Sequence, residues 1–220
     1  MSKLEFDQPT SARRYQTGIS KGVIYPMSSG AYQTGKAWNG LTAVNESTDG
    51  ADITTLYADN IEYLHIASPE KCGITIECYT YPDEFKPCIG EIDGANGVTF
   101  TAQKHSSFGF CCREEVGNED DENAGYKIHI YYGCKATPSE VNRETINDSP
   151  DAITFSFECT TTPVDVHGLK PTAHIILDSR LLGENRMAAA EALLYGDTNS
   201  NPTLPLPDAL ATALADVAVG

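Results

Sequence analysis

"NDSPDAITFSFECTTTPVDV", residues 147–166, decides the fold class. Between a turn-forming Asn-Asp-Ser-Pro-Asp and a Thr-Pro stop, Ile153, Phe155, Phe157 and Cys159 alternate with Thr154, Ser156, Glu158 and Thr160. A period of two, rich in aromatic and β-branched residues, is the pattern of a half-buried strand. The oily face is expected in a core. The polar face carries one acid among hydroxyls, with no nucleophile, metal cluster or phosphate loop beside it in sequence.

Working outward, the same alternation recurs around residues 23–27, 37–44, 53–58, 61–66, 73–81, 98–103, 106–113, 126–133 and 172–177. The separators "TDGAD", "YPDEFKP" and "DGANG" carry turn chemistry, because Gly, Asn and Asp accept unusual backbone angles and Pro fixes φ. The chain therefore reads as mainly β and antiparallel, with neighbouring strands often hairpin partners. One segment breaks the period. From Glu184 to Leu194, helix formers place Met187, Ala190, Leu193 and Leu194 on one stripe, with Gly196 as a stop. One flanking amphipathic helix is expected there. Beyond it, "DTNSNPTLPLPDALATALADVAVG" reads as turn residues, an extended Pro-Leu-Pro stretch and a short Ala-rich helix. The organisation expected is an N-terminal arm over 1–20, a β domain over 21–196 and a C-terminal arm over 197–220, each arm needing a packing partner to be ordered.

The chain has 220 residues, enough to bury a sizeable core, and no apolar run approaches the roughly 18 residues of a membrane span. The start, "MSKLEFDQPTSARRYQ", lacks the apolar stretch of a secretory signal, so cytoplasmic synthesis, solubility and no membrane insertion are expected. Seven cysteines without a paired CxxC motif point to reduced thiols, and Cys78, Cys112 and Cys159 fall at apolar strand phases, where they act as small hydrophobes. A net charge of −16 argues against tight nucleic-acid binding over the whole surface.

The chemistry-bearing residues form no recognised constellation. In "EEVGNEDDENAG", residues 114–125, a calcium-loop register begun at Asn118 puts Asn123 where Gly is needed and His129 where the bidentate Glu belongs, so a solvated hairpin loop is expected. His129 and Cys134 have an odd separation that would send them to opposite faces of one strand, as it would Cys111 and Cys112. His105, His129, His167 and His174 lack zinc-motif spacing. Asp83, Glu84, Asp148 and Asp151 sit where turns usually place acids, and no GxxxxGKS, GxGxxG or GxSxG occurs. No catalytic residue, cofactor or metal is expected.

Five blocks taken together are more informative: "GKAWNGLTAVNESTDGADITTLYADNIEYLHI", "EKCGITIECYTYPDEF", "GYKIHIYYG", "INDSPDAITFSFECTTTPV" and "LLYGDTNSNPTLPLPD". In wording and order, from Gly22 to Asp208, they resemble the major tail tube protein of long, non-contractile tailed bacteriophages. The resemblance implies a β-barrel or sandwich of tail-tube type with a flanking helix and extended arms. It implies hexameric rings stacked into a hollow tail tube of the virion, through which DNA is ejected. The implied partners are copies of the chain itself, with tape-measure, tail-terminator and distal tail proteins. A tube of a gene-transfer agent or bacteriocin is a related reading.

Negative charge fits a conduit, since DNA carries about one charge per 1.7 Å and a basic lining would hold it. Acids on polar strand faces are the lumen-lining candidates: Glu77 beside Thr75 and Tyr79, Glu158 beside Ser156 and Thr160, and Glu62 between Ile61 and Tyr63. A competing reading is a carbohydrate-binding or adhesion β-sandwich, for which Tyr79, Tyr81, Tyr131 and Tyr132 could build an aromatic platform. An enzyme using acids gathered by folding is a third.

Overall fold

The computed structural model describes residues 13–49, 53–67, 71–143, 145 and 152–218. The expected arm up to residue 12 and the "NDSPD" turn, with Asp148 and Asp151, lie outside the described residues.

Alternation does produce strands. In chain order they are β1 (Arg14–Ser28), β2 (Ala31–Tyr32), β3 (Lys36–Trp38), β4 (Leu41–Asp49), β5 (Ile53–Ala58), β6 (Ile61–Ala67), β7 (Lys71–Cys78), β8 (Ile92–Asp93), β9 (Thr99–Phe100), β10 (Phe108–Asn118), β11 (Gly125–Pro138), β12 (Phe155–Thr160) and β13 (His174–Asp178). Three helices follow: α1 (Ser179–Leu182), α2 (Glu184–Tyr195) and α3 (Pro207–Ala215). The flanking helix expected at 184–194 is α2, ended by Gly196 at φ 78°, and the Ala-rich end supplies α3.

The main sheet is antiparallel and runs β2-β1-β10-β11-β12-β7-β4, with β13 also on β11 and β3 also on β1. Its two ends meet. Strand β3 lies on β1, and two residues later the chain enters β4 at the far end of the path, so the sheet rolls into a barrel-like layer. Gly22 lies at this seam, where a Cβ would come within 2.3 Å of Leu41 Cδ1 and displace that side chain.

β11 is the pivot. Its residues 127–131 pair with β13 on one edge, its first half pairs with β10 on the other, and Lys135–Pro138 pair with β12. Ile128, Ile130 and Tyr132 face the helices, whereas Tyr131, Cys134 and Ala136 face the inside of the roll. The parity changes at Gly133, which stands at φ 59°. One extra residue in a strand flips every side chain beyond it. His129 and Cys134 therefore emerge on the same side of β11, correcting the opposite faces expected from their odd spacing. Cys111 and Cys112, with no bulge between them, do divide between the two cores.

Two cores result. Inside the roll, the 3-10 segment Asp83–Ile89 inserts Phe85 between Trp38, 4.5 Å away between ring centroids, and Phe157, 4.9 Å away. Outside it, Val23, Tyr25 and Cys111 from the sheet pack on Met187, Ala190, Leu194, Leu204, Leu210 and Leu214. Full burial of one such aliphatic or aromatic side chain contributes about 1.5–3 kcal/mol. Tyr25 Oη donates to the Leu194 carbonyl (2.6 Å) and Tyr132 Oη to that of Pro205 (3.0 Å), tying α2 and the Pro-Leu-Pro stretch to the sheet. Residues 14–20 of the expected N-terminal arm belong to β1 and pair with β10, and residues 204–214 of the expected C-terminal arm close the second core.

All seven cysteines are free thiols, six of them buried. Burial pushes Cys88, Cys111 and Cys159 up to about 12 and Cys78 to about 11, which suits packing rather than nucleophilic chemistry.

Candidate assembly and lining surfaces

Most of the main sheet is covered, but among the described residues no element packs on the outer face of its β4-β7-β12 part. Side chains of odd number on β7, Ala43, Asn45 and Ser47 on β4, and those of even number on β12 point there, while Leu41, ahead of an irregularity in β4, packs inward. The register sets Glu77 opposite Ser156, and Glu158 between Thr75 and Thr137. Glu77 and Glu158 are thus diagonal neighbours on adjacent strands, close enough to act on the same passing charge. Asn45 Nδ2 donates to Glu77 Oε1 at 3.3 Å. Further along the same face, Thr160 pairs with Lys135 and Gly73, and Lys71 stands beyond them. The face is graded, with glutamates at one end and lysines at the other. Around Phe157 and Cys159 the sequence reading of β12 holds, while Ile153 precedes the strand and is exposed.

Glu62 lies elsewhere. It belongs to the hairpin β5-β6, which among the described residues pairs with no other strand. Asp59 and Asn60, at φ 53° and 62°, form its two-residue turn, matching the positive-φ geometry that twisted hairpins favour. A bulge leaves Tyr63 as the extra residue, since Leu56 pairs with Leu64 and Tyr57 with Glu62. The hairpin is two-sided. On one face Thr55 meets His65 Nδ1 at 3.0 Å and Tyr57 Oη donates to Glu62 at 3.2 Å. On the other, Leu56, Leu64 and Ile66 are 43, 48 and 50% exposed. Ile53, Tyr57, Ile61 and Tyr63 add to the apolar surface in water. An isolated two-stranded hairpin is marginal in water, and so large an uncovered apolar surface is a mark of an interaction site.

The tyrosines proposed for a sugar platform do not form one. Tyr131 and Tyr132 are buried on opposite faces of β11, and only Tyr79 of the four is well exposed. The acidic loop folds upon itself, with Asn118 Oδ1 accepting from the backbone N–H groups of Asp120 (2.9 Å) and Asp121 (2.6 Å).

One constellation is invisible in the sequence. Glu46 from β4, His129 from β11 and His174 from β13 converge beside Glu114 and Tyr131, where Tyr131 Oη donates to Glu46 Oε1. The rings of Tyr131 and His174 stack at 4.5 Å. Burial pushes the His174 imidazole below its ordinary value, against the opposing pull of Glu46. The signal in the sequence was slight: His129 stands among apolar neighbours in "IHIYY", an unusual place for a polar side chain, while Glu46 in "VNEST" carries no such mark.

No family model matches the chain, and no curated protein matches it. Solved structures of low similarity do. A chain of the PVC sheath-tube complex of an extracellular contractile injection system in its extended state is 11% identical, with a TM-score of 0.31 over 80% of this chain and 94% of that one. A chain of the six-fold symmetrised baseplate of the anti-feeding prophage is 7% identical, with a TM-score of 0.30 over 73% and 95%. At TM-scores near 0.3 neither likeness fixes a function. Among the described residues, no helix is long and apolar enough to cross a membrane.

Proposed function

We propose that this chain is a structural subunit that self-assembles into the hollow tail tube of a phage or phage-derived particle, as hexameric rings stacked along an axis, with DNA leaving through the lumen. The observation that carries the reading is the hairpin β5-β6, which holds Leu56, Leu64 and Ile66 out in water on one face. A neighbouring copy supplies the missing layer. Repeating one head-to-tail contact closes a ring when the rotation permits, and a second contact along the axis extends it. The wording of the five sequence blocks supports the same reading.

The lining is the polar outer face that bears Glu77 and Glu158, joined by the polar face of the hairpin that bears Glu62. Multiplied by ring symmetry, these carboxylates repel phosphate within a Debye length of about 8 Å and leave the lumen free of the counterion-release binding that a basic wall would create. Passage needs no catalytic group. The tape-measure, terminator and distal tail partners implied by the resemblance would meet the tube at its lumen and ends.

Negative-stain electron microscopy of the purified protein tests the proposal. Rings or tubes with axial symmetry are the expected result. A monodisperse monomer at all concentrations, or one retained on a polysaccharide matrix, would replace the tube reading with that of a binding module.

A further inference from the structure

We propose that Glu46, His129 and His174 form a binding site for one divalent transition-metal ion, with zinc matching the donor set best. Three donor atoms from three strands meet there. His129 Nδ1 is 3.1 Å from His174 Nε2 and 3.2 Å from Glu46 Oε1, and His174 Nε2 is 3.6 Å from Glu46 Oε1. Zinc bonds of about 2.0–2.1 Å at tetrahedral angles require donors about 3.3–3.4 Å apart. The observed triangle brackets that edge, so small side-chain shifts would seat an ion above it.

The neighbouring groups fit a ligating role. Glu114 Oε2 lies 3.3 Å from His129 Nε2, and the tautomer that donates there presents the Nδ1 lone pair toward Glu46 and His174. The Glu114 contact is also the usual outer-shell partner of a ligating imidazole, and Tyr131 Oη donates to the same Glu46 Oε1 that would face the ion.

Access and donor type complete the case. The His129 and His174 side chains are 13 and 17% exposed, while that of Glu46 is 42% exposed and borders a cleft of about 410 Å³ shared by β1, β4, β10 and β11. The ion has an entry path and room for water in the fourth position. Two imidazoles and one carboxylate suit zinc, and also ferrous iron, whereas calcium and magnesium ask for oxygen alone; the tetrahedral edge length above favours zinc. The bound ion would staple β4, the last strand of the sheet path, to β11 and β13 in the opposite layer.

The test uses the full chain, stripped with a chelator and titrated with zinc chloride by calorimetry, and with Co²⁺ followed by visible absorption for tetrahedral coordination. One equivalent should bind, raising the thermal midpoint. Glu46→Gln and His174→Asn should each weaken binding at least 100-fold and abolish that rise, Glu114→Gln should weaken it roughly 10- to 100-fold, and His167→Gln should change nothing. Glu46 is partly exposed, so its variant carries the test if His174→Asn does not fold. Failure of the wild-type chain to take up one equivalent at micromolar zinc would overturn the proposal. So would binding that survives Glu46→Gln, which would place the ion elsewhere, such as at His65 and Glu62 on the hairpin.

Discussion

Replacing Leu56, Leu64 and Ile66 together with serine should abolish tube growth at ordinary concentrations while sparing the fold of the subunit. These side chains already hide about half their surface within the hairpin, being 43, 48 and 50% exposed. With full burial contributing about 1.5–3 kcal/mol, the half that remains for a neighbour to cover is about 0.7–1.5 kcal/mol each. Three give about 2–4 kcal/mol per contact, or on the order of 30- to 1,000-fold in the association constant. The critical concentration for assembly, measured by sedimentation and electron microscopy, should rise by that factor. The thermal midpoint of the unassembled subunit should move little, because the hairpin pairs only with itself among the described residues. Tubes at the wild-type concentration would refute the assembly role of this face. Collapse of the whole fold would refute the reading that the face is unpartnered in the monomer.

Glu77→Lys with Glu158→Lys should leave assembly intact, since both groups face away from the cores, yet slow DNA release from particles built of the variant, with high salt restoring it; unchanged ejection kinetics would remove these acids from the lining. Asp178 caps α1, accepting from Arg180 N at 3.0 Å and Arg180 Nε at 2.8 Å, and this holds its carboxyl below the ordinary range. A depressed folded-state value means stabilisation present above the unfolded value near 3.9 and lost as pH falls through the folded one. Asp178→Asn should therefore cost about 1–2 kcal/mol at neutral pH in denaturant titrations, with the gap to wild type closing below about pH 4. Gly133→Ala puts a Cβ at a φ of 59° and 2.7 Å from the Thr162 carbonyl oxygen. Left-handed strain and overpacking together cost roughly 2–4 kcal/mol, seen by calorimetry as a midpoint lowered by roughly 4–16 °C.

Strand phase was legible wherever one face of a strand meets a core and the other does not. In β12, Phe157 and Cys159 are buried and Glu158 is exposed, as alternation requires. In β7, Ile74, Ile76 and Cys78 are buried and Glu77 stands outside. Period two failed on β10 and β11, which are covered by the helices on one side and by the rest of the roll on the other. "FGFCC" and "IHIYYG" are buried on both faces, so alternation carries no information there, and Tyr131 and Tyr132 were available to a mistaken surface reading. The hairpin was legible as two alternating runs, 53–58 and 61–66, two residues apart. Its isolation from the sheet was not, because an apolar strand looks the same whether a neighbour is in the same chain or the next one.

The residues that escaped sequence reasoning share one physical cause. Glu46, His129 and His174 are separated by 83 and 45 positions and lie on three strands, and no local spacing relates them. Their meeting depends on the roll of the sheet, which sets β4 across from β11, and on the pairing of β11 with β13. The bulge at Gly133, at φ 59°, lets β11 leave β13 and pair with β12 while Tyr131 and Cys134 stay on the same side. A glycine that looks incidental in the sequence thus keeps the inner face of β11 continuous past the cleft. On the outer face the register of β12 on β7 sets Glu77 diagonal to Glu158, where the proposed repetition of the subunit would turn one half-buried and one exposed acid into a ring of charge.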